Sequence, residues 1–81
     1  MNGELMHLVD MANQIATNLR FAAEDDAAAA ELVANHIQRY WARSMKAQIT
    51  DYLHSDGAEL NEVARLAVAL GLSGSRRAID V

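Results

Sequence analysis

The residues equipped for chemistry are few and scattered. Histidines stand at His7, His36 and His54. Only His7 has a carboxylate three or four residues downstream, at Asp10. Two ligands at that spacing make a weak metal site, so no metal ligand is assigned. The chain has no cysteine, which removes thiolate zinc, iron–sulfur ligation and cysteine nucleophiles. No phosphate-cradling glycine loop and no Gly-x-Ser-x-Gly elbow occurs. Asp25-Asp26 reads as helix capping and not as an acid–base pair. No catalytic residue is assigned, and the chain does not read as an enzyme in its own right.

What remains is chemistry of recognition. Asn13-Gln14 lies in the middle of a helical pattern, where asparagine is a mediocre helix former. An amide offers donors and an acceptor together, which suits bonding to backbone. Arg39-Tyr40-Trp41 sets a cation beside two of the four aromatics. Tryptophan, tyrosine and arginine are the types that dominate binding hot spots. Trp41 reads equally well as the core filler of a small bundle. His36 reads as a hydrogen-bonded histidine at a core or interface.

The elements that must position these residues are helices. Alanine is abundant, proline is absent and aromatics make up 5%, a composition that gives strands little support. In the first segment, Glu4 to Ala23, one face carries Leu5, Leu8, Met11, Ala12, Ile15, Leu19 and Ala22. Asp10, Asn13, Thr17 and Arg20 fall opposite. His7, Gln14 and Phe21 share a flank, and the phenylalanine implies that something covers it. A second helix runs from about Ala27, capped by an aspartate of Glu24-Asp25-Asp26, with Ala29, Leu32, Val33, His36, Ile37, Tyr40 and Trp41 on its stripe. Near residues 42–44 two readings stay open. The helix either continues through Met45, Ile49, Tyr52 and Leu53 for ~42 Å, or it breaks, with Ser44 available as a new cap. The break gives the better packed bundle. Gly57 suits a left-handed stop, a last helix spans about Glu59 to Leu70, and Gly71 terminates it. The expected fold is all-α: three to four helices in one domain, 1–72, followed by a disordered tail, 73–81.

Charge and length narrow the function. The net charge of −4 argues against nucleic acid. Arg39, Arg43 and Lys46, and then Arg76 and Arg77, read as a solvated face. No apolar run approaches the ~18–20 residues of a membrane span, and the N-terminus lacks the pattern of a signal peptide. A cytoplasmic chain is expected. At 81 residues, its own core supplies only ~3–5 kcal/mol. Chains of this kind are often stabilised by a partner or by self-association.

Two blocks then carry a resemblance. Leu8-Val9-Asp10-Met11-Ala12-Asn13-Gln14-Ile15 resembles the Leu-x-x-Met-Ala-Asn-Gln-Ile signature of the delta subunit of NAD-dependent formate dehydrogenases. His36-Ile37-Gln38-Arg39-Tyr40-Trp41, with Met45 after three more residues, is similar to that family's His-Ile-x-x-Phe-Trp-x-Pro-x-Met block. Asp56-Gly57 with Leu60, Val63 and Ala67 resembles its glycine turn and closing helix. The family's Asp-Pro after the tryptophan is replaced by Ala42-Arg43. The resemblance implies a non-catalytic accessory subunit, without a cofactor of its own, that docks on the large catalytic subunit of a soluble complex. Other subunits would hold the pterin-bound molybdenum or tungsten, the clusters and the flavin. The matching positions Asn13, Gln14, His36, Arg39, Trp41 and Met45 become the candidate partner-binding residues. In that scheme Asn13 bonds to partner backbone while Arg39 and Trp41 anchor the contact. The alternative is a self-associating helical protein, a homodimer when isolated.

Overall fold

A computed structural model describes residues 3–71. The tail expected at 73–81 lies outside the described residues. Four helices follow one another: α1 (Gly3–Arg20), α2 (Asp26–Tyr40), α3 (Arg43–Ser55) and α4 (Glu62–Ala69). There is no strand among the described residues. The all-α expectation holds, with four helices.

Helix α1 forms because Leu8, Ala12 and Ala16 recur every four residues and bury one stripe, with Val9 beside them. Leu5, Met11, Ile15 and Leu19 pack half-buried along its edges. The buried stripe is rotated from the expected one. Val9 lies inside, whereas Ala22 lies past the helix end and is exposed. The helix stops at Arg20, three residues early. Ala22 and Ala23 donate to the carbonyls of Leu19 and Arg20, tightening the last turn. Arg20 then closes the corner, with Nε 2.7 Å from an Asp26 carboxylate oxygen and Nη1 donating to the Ala23 carbonyl at 3.1 Å.

Asp25 caps α2 as anticipated. Its backbone is extended and its side chain accepts from the Ala28 N–H at 2.9 Å. The helix ends without glycine or proline. Trp41 (φ −90°, ψ 146°) and Ala42 (φ −69°, ψ 155°) are both extended, and α3 starts at Arg43. The break therefore falls at Trp41–Ala42. The expected cap is corrected: Ala42 occupies the N-cap position of α3 with no side-chain bond, and Ser44 lies inside the first turn. Burial drives the break. Trp41 is 6% exposed, and turning the chain there lets Ile49 and Tyr52 bury as well. A straight helix of that length would carry those side chains beyond the reach of α1 and α4. Lys46 reinforces the turn, its Nζ donating to the Gln38 carbonyl at 3.2 Å.

Helix α3 ends where Gly57 takes φ +63°. A Cβ there would stand 3.2 Å from the Leu53 carbonyl oxygen. The last helix begins at Glu62 and not at Glu59. Residues 57–60 form a turn, with the Leu60 N–H donating to the Gly57 carbonyl. Leu60 is buried from that turn, and Asn61 caps α4 by accepting from the Ala64 N–H at 2.9 Å. Val63, Ala64, Ala67 and Val68 face the core, while Leu70 is exposed, contrary to its expected place on the apolar face. Gly71 (φ +99°) ends the helix as anticipated.

Helix α4 packs against all three other helices, and α2 packs most closely against α4 and α1. Alanines line the contacts from all three sides: Ala12 and Ala16, Ala29 and Ala30, Ala64 and Ala67. Such small side chains let helix axes approach closely. The largest fully buried side chains are Ile37, Ile49 and Val33.

Candidate interaction surface

The amide of Asn13 uses both its nitrogen and its oxygen on backbone of its own chain. Its Nδ2 donates to the Glu59 carbonyl at 2.8 Å, and its Oδ1 accepts from the Asn61 N–H at 2.8 Å. Asn61 returns a bond from Nδ2 to the Asn13 backbone carbonyl at 3.3 Å. The Tyr52 hydroxyl accepts from the Glu59 N–H at 2.9 Å, and Arg65 Nη2 donates to the Leu60 carbonyl. Together these bonds supply the backbone of the turn before α4 with partners it cannot find in regular structure. The Asn13 amide, expected to bond to a partner's backbone, thus makes both of these bonds to backbone of its own chain. The side chain faces inward, onto its own chain, where one residue couples α1 to the start of α4. Gln14, next to it, is exposed.

The second block divides across the wall of the bundle. Trp41 lies in the core, and Met45 is half-buried against it. Arg39 is exposed. The expected pairing of Arg39 with Trp41 as a surface anchor does not form, because residues two apart on a helix point about 200° apart, and Trp41 takes the buried side. Tyr40 takes that place. It is 70% exposed, the half-buried His36 ring lies 4.9 Å from its centroid at a tilt of 46°, and the Arg39 guanidinium carbon lies 5.9 Å from it. That is within cation–π range. His36, Arg39 and Tyr40 thus form one cluster on the last turn of α2. The sequence reading flagged Tyr40 by type but, placing it with Trp41 on the apolar stripe, left it out of the candidate partner-binding residues. The signal available was the turn itself, since a stripe that must bury Trp41 at a helix end leaves its neighbour outside.

A second exposed aromatic lies at the opposite end of α2. Phe21, just past α1, is 86% exposed, so nothing in the described chain covers the flank it was expected to share. It borders an open cleft of about 260 Å³, lined also by Thr17, Asn61 and Glu62.

No three His, Asp or Glu side chains among the described residues gather as a metal-holding group. No helix among them is long and apolar enough to cross a membrane. The geometry offers contact surfaces: two exposed aromatics, one of them joined to a cation and an imidazole.

Comparison with known proteins adds one match. The family model described as NADH-dependent formate dehydrogenase delta subunit FdsD matches residues 7–68. No curated protein and no solved structure matches the chain.

Proposed function

The chain belongs to the FdsD family of NADH-dependent formate dehydrogenase delta subunits, and on that premise we propose that it is a non-catalytic accessory subunit. It docks on the large catalytic subunit of a soluble, cytoplasmic formate dehydrogenase and serves the assembly or stability of that complex. The observation that carries this reading is the division of the four aromatics. Trp41 and Tyr52 build the core, whereas Phe21 and Tyr40 are left 86% and 70% exposed. Aromatic residues are enriched at protein–protein interfaces, and these two reach solvent. The composition agrees, since a chain without cysteine has no thiolate to hold an iron–sulfur cluster. Of the candidate partner-binding residues, Gln14 and Arg39 reach solvent, and His36 does so in part. Asn13 and Met45 are half-buried as well, and Trp41 lies in the core.

The test is deletion and restoration in the native host. Loss of the chain should lower formate-dependent NAD reduction by lowering the amount of assembled complex, and the full-length chain should restore it. An unchanged yield of active complex in the deletion strain would refute the accessory role.

A further inference from the structure

We infer that the corner between α2 and α3, carrying Arg39, Tyr40 and Arg43, is a docking face for an acidic protein surface. The inference rests on the accessory-subunit reading and assigns it a location. Its first support is charge segregation. Between Glu31 and Asp51 the chain carries no carboxylate at all, yet this stretch holds Arg39, Arg43 and Lys46. All eleven aspartates and glutamates lie outside it, in a chain of net charge −4. Among the described residues the one ion pair is Arg20 with Asp26, so neither Arg39 nor Arg43 has a carboxylate partner there.

The second support is the position of Arg43. It is the first residue of α3, whose first turn has no acidic residue and whose N-cap, Ala42, makes no side-chain bond. A cation at that end opposes the helix dipole. Local helix energetics would favour aspartate or serine at the cap and glutamate in the first turn. The corner instead adds the positive end of the helix to two exposed guanidinium groups, and nothing within the described fold neutralises them. A surface of carboxylates on a partner would.

Tyr40 supplies the apolar centre of this face, with Arg39 and His36 against its ring. An exposed aromatic with a cation against its ring is suited to a hot spot with a charged rim. The rest of the chain carries all eleven carboxylates against four arginines, an acidic excess that orients the encounter. An acidic protein fits better than nucleic acid, because two exposed arginines on an acidic chain fall short of a phosphate-tracking footprint.

The test measures binding of the full-length chain to formate dehydrogenase complex purified from a strain lacking it, at low and high salt and after nuclease treatment. Wild type should bind, and more weakly at high salt. R39E/R43E should lose about tenfold or more in affinity, R39K/R43K should stay close to wild type, and Y40A should weaken binding, each with helix content intact. R39Q/R43Q, which removes the charges without inverting them, should also bind less and serves if the reversed variant loses structure. Wild-type binding that R39E/R43E and R39Q/R43Q leave unchanged would overturn this docking face while leaving the accessory role standing. Loss of wild-type binding on nuclease treatment would overturn it in favour of nucleic acid. Absence of wild-type binding to the complex would overturn both readings.

Discussion

Asn13 and Asn61 bond to each other twice, 48 residues apart. The Asn13 side-chain oxygen takes the Asn61 N–H at 2.8 Å, and the Asn61 side-chain nitrogen reaches the Asn13 carbonyl at 3.3 Å. The same Asn61 caps α4 with its remaining oxygen. Replacing Asn13 by alanine leaves the Asn61 N–H and the Glu59 carbonyl without their protein partner. The expected cost is ~1–3 kcal/mol, read as a lower urea midpoint of the isolated chain. A purely partner-facing asparagine would leave that midpoint unmoved.

Asp25 and Ala42 hold equivalent positions at the starts of α2 and α3, and only one of them bonds. Asp25→Ala should cost ~1 kcal/mol by freeing the Ala28 N–H. Ala42→Asp should raise stability by a similar ~0.5–1 kcal/mol, since the backbone there is already extended. The same substitution sets a carboxylate beside Arg43, so it should weaken docking while strengthening the fold. Thermal melts and binding assays on one sample would show the two effects moving in opposite directions.

Trp41 and Tyr40 should separate stability from function. Trp41→Ala empties a core site and should cost ~3–5 kcal/mol, comparable with the whole stability of a domain this small, so near-ultraviolet circular dichroism should show loss of tertiary packing. Tyr40→Ser, at a residue 70% exposed, should stay within ~0.5 kcal/mol of wild type. Equal losses at both sites would contradict the division between core and surface.

Gly57 adopts φ +63° against the Leu53 carbonyl. Gly57→Ala should destabilise by ~1–2 kcal/mol through left-handed backbone strain, and Gly57→Asn should be milder because asparagine tolerates that region. Urea titration of the two variants gives the comparison.

Much of this fold was legible in the residues. Leu8 and Ala12 on the apolar face of α1, the capping Asp25 and the two terminating glycines all act within a few positions of themselves, and local patterns can be read locally. The break at Trp41–Ala42 was legible only as an alternative. It carries no glycine, proline or capping side chain, and it exists because tertiary burial of Trp41, Ile49 and Tyr52 outweighs continued helix. The late start of α4 was hidden for a related reason, because Leu60 buries from a turn and not from a helix. The role of Asn13 was out of reach, since its partners lie 46 and 48 positions away. Within the candidate surface, the residue types of Arg39, Tyr40 and Trp41 drew attention to this stretch. Tyr40 was left out of the candidates because deciding which of two adjacent aromatics faces inward requires the direction of the helix end.

The central claim, that this delta-subunit-family chain works by docking on a catalytic partner, is tested most directly by isolating the tagged full-length chain from its native host. The eluate is then assayed for its partners and for formate-dependent NAD reduction. The expected result is near-equimolar recovery with the large catalytic subunit, together with formate-oxidising activity that the chain alone lacks. Recovery of the chain only as a homodimer, in cells that are making the dehydrogenase, would contradict it.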